Sequence, residues 1–161
     1  MDTFVLLIVP MIIIGQNLKA LDAKYGFREA KFEMPFSSFK NLVEVEPCCY
    51  KSTTENFKLG EYTLDRVVYF FYKDQLSLIM IDTEGYINSR GFLKILQEAY
   101  GEGSQSNKYI EKYYWFGEKV IMSYDQNSIT DDATIFIRSR KLMDLEQADE
   151  KRANSEAAKK L

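Results

Sequence analysis

Apolar residues recur along this chain at two spacings, and each spacing predicts a different element. Over residues 64–72 (LDRVVYFFY) and 75–82 (QLSLIMID) they alternate with polar ones or form short unbroken runs, the pattern of strands. Only Lys73 and Asp74 separate the two stretches, the length of a tight antiparallel hairpin. Because VVYFFY is apolar on both faces, this strand is expected to sit centrally, one face under helices and the other partly covered. Residues 109–116, 118–125 and 132–140 predict three further strands, with reversals at Gly117 and over 126–131. Helical spacing is clearest where Phe92, Ile95, Leu96 and Ala99 stand at i, i+3, i+4 and i+7. Glu84 and Gly85 form a turn before that helix, Asn88 or Ser89 is placed to cap its start, and Gly101 falls just past its end.

The first third is read the same way. Residues 27–34 (FREAKFEM) predict a strand that Pro35 stops. Pro35 suits the first turn of a helix, and Phe36, Phe39 and Val43, with Leu42 beside them, predict a short amphipathic helix ending before Pro47. Residues 50–59 are polar but rich in threonine and aromatics, and predict an edge strand with a turn near Gly60. A helix followed by three strands thus occurs twice, over 35–82 and 88–140. The expected fold class is α+β: an antiparallel sheet with two short helices on one face, in a tandem helix-plus-three-strands repeat, then a polar C-terminal helix. That tail, residues 141–161, is rich in Ala, Glu and Lys; it is expected to dock at its start and fray beyond about Ala153.

Residues 4–14 (FVLLIVPMIII) are apolar throughout, interrupted only by Pro10, before Gly15, Gln16 and Asn17 turn polar. Eleven such residues are too few to span a bilayer but suit the hydrophobic region of a signal peptide. The expected organisation is a signal peptide over 1–23, an α+β domain over 24–140 and a polar helical tail over 141–161, with export to the periplasm or cell envelope. Met1-Asp2-Thr3 holds no basic residue, and neither Ala20 nor Ala23 has a small residue two places before it. The alternatives are a buried first element of a cytoplasmic domain and an uncleaved anchor, the only contact with a membrane that is expected.

Composition narrows the chemistry. At 161 residues, 46% hydrophobic and 28% charged, the chain suits one domain able to bury a core without disulfide or metal staples. A net charge of −3 supplies no basic field, so nucleic acid is not an expected partner. Cys48 and Cys49 are adjacent and cannot close a loop; one thiol facing in and one out on a strand is expected, with a vicinal redox or soft-metal pair as the alternative. The chain has no histidine, which removes Ser-His and Cys-His nucleophile pairs and every imidazole metal site. Gly101-Glu102-Gly103 follows a helix instead of opening one, so it is no phosphate loop. Glu44, Glu46, Asp131 and Asp132 read as solvated surface, and Asp125 to Asp132 lacks the spacing and glycine of an EF-hand. No catalytic residue, metal ligand or cofactor is assigned.

The aromatic residues are the remaining candidates. Residues 69–72 (YFFY) and 113–116 (YYWF) exceed what one sheet face needs for a core, so some are expected to form an aromatic surface away from the helices, unless the tail helix covers it. Tyr69, Tyr72, Tyr114 and Trp115 are the candidate partner contacts. The expected function is non-enzymatic binding of another envelope protein. The alternatives are a two-carboxylate hydrolase acting on sugar or peptidoglycan, and a carrier of a small apolar ligand.

Residues 24–42 (KYGFREAKFEMPFSSFKNL) resemble the opening of a family of uncharacterised exported bacterial α+β proteins, the likeness carried by Phe27, Phe32, Met34, Phe36, Phe39 and Leu42. Tyr62, Leu64, Asp65, Val67 and Phe71, then Phe92, Tyr100, Gly101 and Trp115, extend the resemblance. This chain departs at Glu33, where those proteins often carry glycine. At the level of fold the order of elements is similar to beta-lactamase-inhibitor-like proteins and small outer-membrane assembly lipoproteins. That likeness implies binding by a sheet face or a helix pair and transfers no functional residue.

Overall fold

The computed structural model describes residues 17–160, and the apolar run at 4–14 lies outside them. Helix α1 (Leu18–Lys24) is followed by a small hairpin, β1 (Gly26–Phe27) with β2 (Ala30–Lys31), and a single 3-10 turn at Phe36–Ser38. Next come β3 (Leu42–Glu46), β4 (Cys49–Ser52), the small hairpin β5 (Lys58–Leu59) and β6 (Tyr62–Thr63), then β7 (Arg66–Tyr72) and β8 (Gln75–Thr83). Helix α2 (Gly85–Tyr100) leads to β9 (Lys112–Phe116), β10 (Val120–Gln126), β11 (Ala133–Ser139) and helix α3 (Arg140–Ala158). The fold is α+β, with a seven-stranded antiparallel sheet in the order β3-β4-β7-β8-β11-β10-β9.

That order contains two meanders, β4-β7-β8 and β9-β10-β11, whose last strands pair antiparallel at the centre. An antiparallel pair has a local two-fold relation, so each meander runs outward from the β8–β11 seam as the counterpart of the other. Only the two meanders correspond: the first half brings four strands to the sheet (β3, β4, β7 and β8) against three from the second, and no helix opens it at residues 36–43. There the chain makes only the 3-10 turn, because Asn41 turns left-handed (φ 60°) and the β-branched Val43 and Val45 continue as edge strand β3. Phe36 and Phe39 keep their three-residue spacing and stack edge-on against Phe71, at 5.1 and 5.2 Å between ring centres.

Other boundaries move for local reasons. Residues 27–34 do not form one strand, since Arg28 (φ 54°) turns the chain between Phe27 and Ala30. Of residues 50–59, only the first three join the large sheet, and the edge strand is β3 outside them. Asn88 and Ser89 lie inside α2, whose cap is Glu84; the Ser89 hydroxyl is buried against that of Thr83, 2.9 Å away. Helix α3 continues to Ala158, five residues past the expected fraying point, with its last turns exposed. Glu33 adopts φ 65°, a conformation free to glycine and costly to glutamate.

The core lies between α1, α2 and one sheet face. Val67, Tyr69, Phe71, Ile79, Ile81, Ile135, Ile137, Met122, Tyr124 and Trp115 alternate onto that face and form one cluster with Leu21, Phe92, Leu93 and Leu96 of the helices. Gly91 lets Tyr62 pack flat on α2, since a Cβ there would stand 2.1 Å from the ring.

The folded body begins before the expected boundary at residue 24. Leu21 is 1% exposed, and the Asn17 N–H donates to Tyr100 O at 2.8 Å. The Asp22 carboxylate accepts the backbone N–H groups of Glu118, Lys119 and Val120, at 2.8, 2.8 and 2.9 Å. Three amides converging on one carboxylate make a charge-assisted anchor from α1 to the β9–β10 turn. Asp22→Ala is expected to cost about 2–3 kcal/mol in urea unfolding, with Asp22→Asn intermediate because it keeps one acceptor oxygen.

Candidate binding face

The side chains that alternate away from the core form rows set by strand register. Tyr114, Ser123, Phe136, Met80 and Val68 lie opposite one another across β9, β10, β11, β8 and β7. A second row runs Phe116, Ile121, Arg138, Leu78 and Phe70. The third is polar: Lys112 pairs with Asp125, Thr134 donates to Asp82, and Arg66 pairs with Asp82. Charge therefore closes one margin of an apolar surface.

Helix α3 closes the opposite margin. Its start is held by Leu142, 1% exposed, and by the ion pair of Lys141 with Glu33. Asp149, nine residues into the helix, accepts from the Tyr72 hydroxyl at 2.5 Å and pairs with Lys73. Nine helical residues advance about 13 Å, enough to cross the two strand spacings from β11 to β7. Lys73 and Asp74 form the hairpin tip with φ 47° and 65°, so α3 grips a left-handed two-residue turn. The Lys73 ammonium and the Tyr72 hydroxyl hold the Asp149 carboxyl below its ordinary value, and Asp149 with burial pushes the Tyr72 hydroxyl up.

Between the charged row and α3, the β9–β10–β11 half of this face is open. A groove of about 400 Å³ runs along it, lined by Tyr114, Phe116, Ile121, Phe136, Leu78 and Met143 among others. Phe116 is 52% and Phe136 38% exposed. The Tyr114 and Phe116 rings stack at 5.7 Å and 11°. The Arg138 side chain, at the centre of the second row, has no hydrogen-bond or ion-pair partner among the described residues, although it lines the groove.

Of the four aromatic candidates only Tyr114 stands on this open half. Tyr69 is a core residue, 7% exposed, and its hydroxyl donates to Glu55 at 2.6 Å; burial and that bond push it far up. Trp115 is fully buried, with its indole N–H donating to Gly101 O at 2.8 Å. A Cβ at Gly103 would come within 2.9 Å of the Trp115 ring, which is why glycine stands there. Tyr72 shares the outer face but is covered by its bond to α3. Strand alternation could have separated them, since consecutive residues 114 and 115 cannot share a face. Phe136, Leu78 and Met143 needed the register as well.

A second hollow, about 790 Å³ and lined mainly by charged residues, lies between α1, the β9–β10 turn and the start of α3. Glu33 occupies it, holding Tyr25 and Lys141; the Lys141 bond, then that of Tyr25, lowers the Glu33 carboxyl. Both Tyr25 (φ 48°) and Glu33 are left-handed, so this network is held on two unusual backbone positions. Among the described residues no group of three or more metal-ligating side chains occurs, and no helix is long and apolar enough to cross a membrane. Comparison with protein-family models, with curated proteins and with solved structures finds no match to this chain.

Two outcomes are expected. Trp115→Ala should cost about 3–5 kcal/mol in denaturant unfolding, whereas Phe116→Ala should cost about 1 kcal/mol or less, its ring being surplus to the core. Since the folded Asp149 value is lowered, its support for α3 is full above pH ~4 and is lost as pH falls through the lowered value. Amide exchange along α3 should therefore quicken on acidification relative to the hairpin, and Asp149→Asn should remove that pH dependence.

Proposed function

We propose that this chain is a non-enzymatic exported domain that binds another envelope protein through the open half of its outer sheet face. The observation that carries the reading is the groove in which Phe116, Tyr114, Phe136 and Ile121 stand beside the unpaired Arg138. An apolar patch with aromatic rings and one arginine, rimmed by charge, has the composition of an interface core with its polar border. Its preferred guest is an apolar segment with a carboxylate near one end. Leu78 and Met143 supply the aliphatic floor and wall, and Arg138 would fix the guest's direction.

The two rival readings have less support. The acid of a two-carboxylate hydrolase is held above the ordinary carboxyl range, whereas Glu33, Glu111, Asp132 and Asp149 are each held below it. The apolar hollow between α1, α2 and β1 is about 190 Å³, small beside the ~300–1,000 Å³ of ordinary ligand pockets.

A photo-crosslinking residue placed at Phe116 or Phe136 in cells tests the proposal, with Lys94 on the exposed side of α2 as control. One discrete protein adduct, recovered with the envelope fraction from both face positions and not from Lys94, is expected. Recovery of the chain in the cytoplasm, or equal labelling at all three positions, would overturn it.

A further inference from the structure

We propose that the charged hollow between α1, the β9–β10 turn and the start of α3 binds a small zwitterion, its carboxylate on Arg140 and Lys119 and its ammonium on Asp144 and Glu118. The hollow shares no lining residue with the outer-face groove, so this site stands or falls independently of the binding face.

Two of the carboxylates lining the hollow are already engaged within the fold. Asp22 holds three backbone amides, and Glu33 holds Lys141 and Tyr25. What remains is two cations, Lys119 and Arg140, and two carboxylates, Glu118 and Asp144. None of these four side chains makes an ion pair among the described residues. Arg140 and Asp144 stand at i and i+4 on α3, the spacing at which opposite charges on a helix ordinarily meet, and here they stay apart.

Exposed charges left to water are common, and Lys119, Glu118 and Asp144 are exposed. Arg140 is different. Its side chain is half-buried; Nη2 donates to Gly117 O at 3.1 Å, while Nε is shielded from water and has no hydrogen-bond partner. A buried donor without an acceptor is rare and costly, and Nε of Arg140 is the one such side-chain atom among the described residues. The Arg140 N–H donates to Lys119 O at 2.9 Å, which fixes the base of the side chain against the β9–β10 turn. What the guanidinium lacks is an oxygen, and the hollow beside it has room for a molecule that brings one. Its volume of about 790 Å³ falls within the ~300–1,000 Å³ of ordinary ligand pockets.

Charge selects the guest. A carboxylate takes a guanidinium through two parallel N–H bonds, and Nε with Nη2 forms one such edge. Turning that edge toward the hollow disturbs only the Nη2 bond to Gly117 O. A phosphate or a dicarboxylate would bring two negative charges among four carboxylates. One carboxylate joined to one ammonium adds no net charge and answers both free signs. Four helical residues separate Arg140 from Asp144, a rise of about 6 Å, so the guest's two charges stand about that far apart. A dipeptide and a short ω-amino acid share this chemistry.

Titration of the isotope-labelled full chain with glycylglycine and, separately, with 5-aminopentanoate, followed by amide NMR, tests the site. Saturable shifts centred on residues 117–119 and 140–144 are expected with at least one of them, and the tighter of the two distinguishes a peptide from an ω-amino acid as the source. Arg140→Lys keeps the charge and loses the fork, and should raise the Kd about tenfold. Asp144→Asn, an exposed change, should raise it about threefold. Propionate, which lacks the ammonium, should bind more weakly than the better zwitterion and lose nothing further in Asp144→Asn. Propionate or inorganic phosphate binding as tightly as both zwitterions would overturn the choice of guest. Shifts that do not saturate with either zwitterion, or affinities that both substitutions leave unchanged, would overturn the site.

Discussion

The antiparallel seam between β8 and β11 is the contact on which the rest of this molecule depends. Six register pairs, from Ala133 with Thr83 to Arg138 with Leu78, join two meanders that otherwise share no strand. In that register Ile79 and Ile81 meet Ile137 and Ile135 on one side, and Met80 and Leu78 meet Phe136 and Arg138 on the other. A slip of one residue would exchange the two sets and place the isoleucines outside. One pairing therefore defines both the core beneath the helices and the outer face with its groove.

The two faces differ in how they are finished. Helices α1 and α2, with Phe36 and Phe39 over Phe71 at the β7 end, cover the inner one, and Tyr124 on it donates to Ser89 O and the side chain of Gln126. The outer face is finished only in part. Helix α3 spans one end, the Lys112–Asp125 and Arg66–Asp82 pairs rim the other, and the aromatic half between them keeps contact with solvent. Exposed ion pairs of that kind add little stability. Their position still matters, because they end the apolar surface at a definite line.

Much of this was legible from period alone. Alternation located β7, β8, β10 and β11 because their inner residues are apolar except at the strand ends, where Thr83, Gln126 and Ser139 stand, and the i, i+3, i+4 spacing of Phe92, Ile95 and Leu96 located α2. The first helix was missed because Leu18 and Leu21 follow directly on a longer apolar run that dominates the reading of the whole N-terminus. Phe36 and Phe39 misled for another reason: a spacing of three suits a 3-10 turn as well as a helix, and the left-handed Asn41 decides between them. At the binding face, Tyr114 could be found from aromatic surplus. Phe136 and Arg138 acquire their meaning only from their register with β10, the preceding strand, and with β8, some fifty residues earlier along the chain.

The Asp22 anchor bears on the order in which the molecule assembles. Its three donors lie 96–98 residues further along, so the carboxylate has nothing to hold when α1 first leaves the ribosome. At roughly 5–20 residues per second, those amides follow about 5–20 s later. Throughout that interval the stretch next to the apolar run lacks its tertiary partners, and a seven-residue helix is too short to persist by itself. The amino end thus cannot close on this anchor, and stays threadable, until the β9–β10 turn has been made.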